Sequence, residues 1–431
     1  MKSFIIKLFN QIITSSLFKA SGIYTLASLL NASIPFLLLP LLTKYLSQSD
    51  FGFIAMFTTV TGFIMPFVSL NMEAAVQRRY YSDKENLSEY IGNAIGISSI
   101  CFIVVLFICL LFKSILVIYT GLPYRWILWG VVYCFSQFFI LLLLILYQVK
   151  IAPLKYGIIQ ISQSSLNFLV SILLIVGFGL NWEGRLFAQI ISSGLIAVAV
   201  IIILVINKQV NFKINYSFIK HAVKFGSGLI PHTLGFSLIV LTNRIFLLKM
   251  VGIEETGLFS VASQVASIIG FFTIAFNNAY VPWLFSKLNE NNWVVKKKIV
   301  KLTYIYFIMI SLVGFLFYLS IPLFYRIFIN GNFDLSLKYS FWIILGLVFQ
   351  GMYFMVTNYI IYVEKTFYQA IITIIIGCLN IPINYLCIQL FGEVGAAISF
   401  SSCFFLFFIV TWFYSNKVYK MPWNLIFNKE F

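Results

Sequence analysis

Arg244 stands five residues before Lys249 in a long apolar stretch that contains no Asp or Glu. At 1.5 Å per residue it lies about 8 Å inside the end of a helix that closes at Lys249. An arginine at that depth in hydrocarbon is functional by default, the alternative being a side chain that snorkels to the head groups. Its planar fork of five donors suits a diphosphate, so the missing counter-ion could be the ligand. Helical spacing gathers more polar groups on the same stretch, with Gly228, His232, Gly235 and Asn243 on one line and Thr233, Ser237 and Arg244 on the next. Similar stripes are Ser21, Thr25, Ser28 and Pro35, then Thr58, Gly62, Ser69 and Glu73, then Ser260, Gln264, Ser267 and Asn278. Polar side chains are costly in lipid, so such stripes should face a water-filled cavity. The expected substrate-binding wall is Arg244, Asn243, His232, Thr233, Ser237, Gln264, Asn278, Ser28 and Thr58. Arg78 and Arg79, beside Glu73, either receive an anion at the cytoplasmic mouth or simply set topology. His232 is either a proton-linked group or a satisfied core histidine.

The elements that hold these residues must cross a membrane. Of 431 residues, 61% are hydrophobic and 10% charged, against roughly a quarter charged in soluble domains. Continuous apolar runs of the length a spanning helix needs exclude a β-barrel and leave little chain for a soluble catalytic domain. The reading is an all-α polytopic membrane protein of about twelve transmembrane helices. Spans one to six are expected near 20–42, 52–71, 91–112, 126–147, 157–180 and 185–206. Spans seven to twelve are expected near 226–249, 258–281, 304–324, 338–361, 367–390 and 394–415. Residues 1–19, with Phe4, Ile5, Leu8, Phe9, Ile12 and Ile13 opposite Lys2 and Lys7, are expected to form an interfacial amphipathic helix. The N-lobe is then 20–206, a cytoplasmic linker 207–225, the C-lobe 226–415 and a cytoplasmic tail 416–431.

The net charge of +16 would suggest nucleic acid in a soluble protein. Here it follows the positive-inside rule: with both termini cytoplasmic, all but eight of the 29 Lys and Arg fall on the inner side. The eight are Lys44, Lys113, Arg125, Arg185, Arg244, Lys249, Arg326 and Lys338. His221 sits in a basic cytoplasmic loop. The six Cys lie in apolar runs without CxxC spacing, so neither a disulfide framework nor a metal site is indicated, and no cofactor motif is present.

Six spans plus six carry an internal repeat. Asp50-Phe51-Gly52 opens span two as Glu255-Thr256-Gly257 opens span eight, and Glu183-Gly184 opens span six as Glu393-Val394-Gly395 opens span twelve. An even number of spans per half gives parallel repeats, hence two six-helix lobes related by an axis along the membrane normal. The polar rows of span five (Gln160, Ser164, Asn167, Ser171) and span eleven (Thr373, Gly377, Asn380, Asn384) are read as interhelical packing. Spans three, six and nine, nearly uniform in Ile, Leu, Phe and Val, are read as peripheral.

Lys224 through His232, Asn243-Arg244, Thr256 through Ala262 and Asn277 through Trp283 resemble spans seven and eight of Wzx-type lipid-linked oligosaccharide flippases. Asp50-Phe51-Gly52, Asn71 through Arg78, Glu183-Gly184-Arg185 and Glu364-Lys365-Thr366 agree. These flippases form the polysaccharide-transport branch of the multidrug/oligosaccharidyl-lipid/polysaccharide (MOP) superfamily. The resemblance implies a MATE-like fold and translocation of undecaprenyl-diphosphate-linked oligosaccharide across the bacterial inner membrane for O-antigen or capsule. It also implies as partners membrane lipids, a polysaccharide polymerase and a chain-length regulator, with proton or sodium coupling. Asn243 stands where relatives often carry Asp, which puts a coupling role for that carboxylate in question. A multidrug cation exporter of the same fold is the alternative and would want buried carboxylates. A polymerase or ligase would want a large catalytic outer loop, and a membrane glycosyltransferase a DxD-like metal site; neither is present.

Overall fold

The computed structural model describes residues 31, 33–34, 36–83, 85–290 and 292–426. The expected interfacial helix, Ser28 and most of span one lie outside the described residues, as do Pro35, Lys84, Asn291 and the end of the tail. The described chain is helical without strands. Each of the second through twelfth expected spans coincides with one helix. They are α2 (Gln48–Ser69), α4 (Leu87–Leu111), α6 (Tyr124–Val149), α7 (Pro153–Ile172), α8 (Trp182–Ile206), α9 (Tyr216–Met250), α10 (Ile253–Asn289), α11 (Trp293–Phe328), α12 (Leu337–Tyr362), α13 (Thr366–Phe391) and α14 (Gly395–Val418). Phe36–Tyr45, here α1, is the described part of span one. Two short helices, α3 (Met72–Ser82) and α5 (Lys113–Thr120), lie between spans.

The chain forms two compact units, Met1–Leu46 with Val60–Ile230, and Ser47–Thr59 with Pro231–Phe431. In the first unit α6 is the hub, packed on α3, α4, α7 and α8; in the second it is α12, packed on α10, α11, α13 and α14. These are the fourth spans of the two halves. Both are buried along most of their length, with Trp126 and Phe138 on α6 and Tyr339 and Tyr359 on α12 among the largest sealed side chains. Spans three and nine are peripheral as expected, showing Ile103 and Phe107, and Leu312 and Leu316, to the lipid side.

The unit boundaries depart from the expected lobes. Ser47–Thr59, which is Ser47 and the first part of α2, clusters with the second unit, and Tyr216–Ile230 of α9 with the first. Tyr216–Phe225, expected as linker, is helix, because a helix can outrun the bilayer where Lys and His meet water. The segment before it is strapped to the start of α4. Asn211 N donates to Ser88 O (2.9 Å), Asn93 Nδ2 to Lys213 O (2.9 Å) and Asn215 N to Asn93 Oδ1 (3.1 Å). α9 bends by 42° between Gly235 and Ser237, a Gly/Ser break of the usual kind.

The repeated acidic residues have identifiable work. Asp50 closes a capping box: its carboxylate accepts from Ser47 N (2.8 Å) while Ser47 Oγ accepts from Asp50 N (3.2 Å). Arg125 at the start of α6 pairs with Glu183 on α8, and Lys338 at the start of α12 pairs with Glu393 before α14 (3.2 Å). Lys338 also reaches Glu255 (3.0 Å), which accepts from the Tyr339 hydroxyl. Within the second unit the two repeated glycines meet. A Cβ on Gly257 would stand 1.9 Å from Gln48 O, and one on Gly52 would stand 2.2 Å from Ile253 O. Only glycine lets these helix starts come that close.

Candidate functional site

Arg244 lies on α9 in the second unit. Its Nη1 donates to the Ala55 carbonyl (3.1 Å) and Thr59 Oγ1 (2.6 Å), both on α2. Its Nε is buried without a partner, and no carboxylate among the described residues pairs with it. A half-buried guanidinium with an orphan donor is poised for an acceptor that the protein does not supply.

Asn243, expected beside Arg244 on the cavity, is instead buried. Its Oδ1 accepts from Asn380 Nδ2 (3.0 Å) and Asn384 Nδ2 (2.6 Å) on α13. Adjacent helical residues point about 100° apart, so directing Arg244 toward α2 turns Asn243 into the unit. The span-eleven polar row is interhelical packing as expected, and Asn380 Oδ1 takes a further bond from Ser399 (2.9 Å). Ser237 Oγ donates to the Thr233 carbonyl (3.2 Å). Gln264 is half-buried, and Thr58 and Asn278 are exposed. The side chain of His232 lies outside what is described.

The expected anion-receiving mouth divides. Arg78 is exposed. Arg79 is committed: it pairs with Asp83 and lies over the rings of Phe218 (4.5 Å) and Tyr90 (5.5 Å). That corrects its reading as a free anion receiver, since stacking and pairing spend its charge locally. Glu73 on α3 is largely buried, with Oε2 unpartnered, and desolvation pushes its carboxyl above the usual range against the opposing bonds from its own backbone and Ser69. His221, read from sequence as part of a basic loop, is exposed and shares a hydrogen bond with the Tyr90 hydroxyl (2.9 Å).

A second polar site lies wholly in the first unit. A cavity of about 360 Å³ is lined by Asn31, Tyr133, Gln137, Gln160, Gln163, Ser164, Asn167, Arg185, Gln189 and Ser192 together with Ile and Leu side chains. This corrects two expectations. The span-five polar row makes the expected interhelical bonds, Ser164 to Asn31 and Asn167 to Ser192 (3.2 Å), but does not serve packing alone, for Gln160, Ser164 and Asn167 also line the cavity. Span six is not simply peripheral, since Arg185, Gln189 and Ser192 in its first half complete the wall. A row of amides and hydroxyls looks the same in sequence whether it meets a neighbouring helix or water. The signal available was Arg185, three residues into α8 and followed one turn on by Gln189.

The comparisons with known proteins bear on the chain as a whole. The sequence profile of a family described as "Polysaccharide biosynthesis protein" matches residues 17–289, more than half of the chain. An "Uncharacterized membrane protein" of Haemophilus influenzae is 28% identical over 362 residues, covering 81% of this chain and 85% of its own. Among solved structures, an inward-facing MATE-family multidrug resistance transporter of the MOP superfamily superposes with a TM-score of 0.74 at 15% identity. That match covers 91% of this chain and 94% of the other. The lipid II flippase MurJ in an inward closed conformation gives 0.70 at 16% identity, covering 91% and 87%. With these matches and its succession of apolar helices, the chain belongs to the polysaccharide biosynthesis protein family and is a multi-pass membrane protein with the fold of MOP-superfamily transporters.

Proposed function

We propose that the chain is a flippase that moves undecaprenyl-diphosphate-linked oligosaccharide units from the inner to the outer leaflet of the bacterial inner membrane. The units feed O-antigen or capsule, and the cycle is alternating access with both termini cytoplasmic. One observation carries the reading: Arg244, deep in a spanning helix, has an orphaned Nε and no carboxylate partner. In a family tied to polysaccharide biosynthesis, the anion that fits a guanidinium at that depth is the diphosphate of a lipid carrier. Thr233, Ser237, Gln264, Asn278 and Thr58 contact the glycan, Asn243 positions α9 through α13, and Arg78 attracts the head group at the cytoplasmic mouth. Rocking would carry the polar head through water while the prenyl tail stays in lipid. A proton or sodium gradient drives the cycle, and the polymerase and chain-length regulator take over the delivered unit.

A multidrug cation exporter of the same fold is disfavoured because the described carboxylates sit at helix ends or in loops rather than deep in the spans. The test is complementation of a flippase-null strain. Return of surface polysaccharide without a gain in resistance to cationic drugs is expected; resistance without polysaccharide would overturn the reading.

A further inference from the structure

The cavity of the first unit holds chemistry that the diphosphate site leaves unused. Arg185 spends Nη1 on Asn167 Oδ1 and Ser171 Oγ (2.6 Å). Among the described residues nothing takes its Nε or Nη2 protons, which together form the edge of the guanidinium that binds a carboxylate in two parallel bonds. The acid nearest in sequence, Glu183, is held by Arg125 on α6, so the charge of Arg185 stays uncompensated. The two groups that take its Nη1 are themselves held in place. Asn167 Nδ2 donates to Ser192 Oγ (3.2 Å), Ser171 Oγ donates to the Asn167 carbonyl (2.6 Å), and a π-turn at Leu173–Gly177 follows directly on α7. Such turns are frequent at functional sites.

The rest of the wall is amide, hydroxyl and phenol. Gln163 Nε2 donates to Gln137 Oε1 (3.1 Å) and Ser164 donates to Asn31. Gln160 has a carboxamide oxygen with no donor, and its terminal torsion is soft enough to present it to the cavity. The site therefore lacks both an anionic acceptor, for Arg185, and a hydroxyl donor, for Gln160. A diphosphate supplies only the first and a neutral sugar only the second, whereas a sugar that bears a carboxylate supplies both. The volume of about 360 Å³ lies at the small end of ligand pockets.

We infer that this cavity binds a carboxylate-bearing sugar residue through Arg185, with Gln160 and Gln189 receiving its hydroxyls. The inference rests on the flippase reading in that the sugar arrives as part of the carried glycan. The experiment uses the full chain in lipid nanodiscs and follows thermal stabilisation by D-glucuronate, D-glucose and inorganic diphosphate. Glucuronate should act at concentrations at least tenfold below those of glucose, and inorganic diphosphate, which the Arg244 site would also take, should be without effect in the Arg244→Gln background. Arg185→Gln should erase the preference for glucuronate over glucose, and Arg185→Lys, which keeps charge without the fork, should restore part of it. Gln189→Ala, outside the hydrogen bonds that hold Arg185, should weaken glucuronate severalfold and keeps the test decisive if Arg185→Gln does not fold. Equal action by glucose, action by diphosphate matching glucuronate in the Arg244→Gln background, or undiminished preference in Arg185→Gln would each overturn the inference. Binding needs no lipid carrier, so selective glucuronate binding with failed complementation refutes the flippase reading alone, and the reverse outcome refutes only this one.

Discussion

Gly92 and Gly96 lie one turn apart on α4, and the structure assigns them opposite responses to alanine. A Cβ on Gly92 would stand 2.1 Å from Asn211 O, whereas one on Gly96 meets nothing within 4 Å. Ordinary contact begins at 3.4 Å, so the Asn211 carbonyl must retreat by about 1.3 Å. That stretches the Asn211 N to Ser88 O bond from 2.9 Å to about 4 Å, beyond hydrogen-bonding range. It also pulls on the bonds that Asn93 makes with Lys213 and Asn215. Three bonds at a net ~0.5–1.5 kcal/mol each put roughly 1.5–4.5 kcal/mol at stake. Alanine returns ~0.5–1 kcal/mol of helix propensity at either position. Gly92→Ala should therefore destabilise by about 0.5–4 kcal/mol and Gly96→Ala should stabilise by less than about 1 kcal/mol. The assay is thermal unfolding in nanodiscs combined with limited trypsin digestion, which reads release of the strap through Lys208 and Lys213. Equal melting of the two variants, with the strap equally resistant to trypsin, would refute the docking argument.

Arg244→Lys should lose part and Arg244→Gln nearly all of the surface polysaccharide made per inserted molecule, because a diphosphate needs charge and fork together; wild-type output from the Gln variant would end that proposal. Burial raises the Glu73 carboxyl in the folded state. Its favourable contribution is thus complete below the ordinary carboxylate range and lost as pH rises through the raised value. Glu73→Gln should accordingly melt higher than the parent at neutral pH, with the gap closing on acidification, and a gap independent of pH would contradict this. Cysteines at Ser49 and Asn291 report topology: an impermeant reagent added outside should label the first and not the second, and the opposite pattern would invert the orientation.

Helix positions were legible because hydrocarbon demands long apolar runs, which composition records directly. The repeat was legible through four acidic positions, and the ion pairs of Glu183 and Glu393 show why acids stand there. Side-chain direction was not legible. Asn243 and Arg244 look like one polar patch in sequence and face different helices in the fold. Arg185 counted as one more outer positive charge, because nothing in sequence says that Glu183 answers Arg125 instead. The strap at 207–215 read as linker because its contacts are single hydrogen bonds to α4, which leave no periodicity.

The Arg125–Glu183 and Lys338–Glu393 pairs also bear on how the protein is made. Each joins the fourth span of a half to the start of its sixth, across 58 and 55 residues, so closing the two loops costs nearly the same chain entropy. The side chains are partly exposed, and each pair contributes at most about 1 kcal/mol. They set register more than stability. The first pair needs nothing beyond α8, and at about 5–20 residues per second the ribosome takes roughly 12–50 s to add residues 184–431 after Glu183. The first half can thus be inserted and clasped before the second exists, and a fault in inserting α9 or later helices leaves that clasp intact.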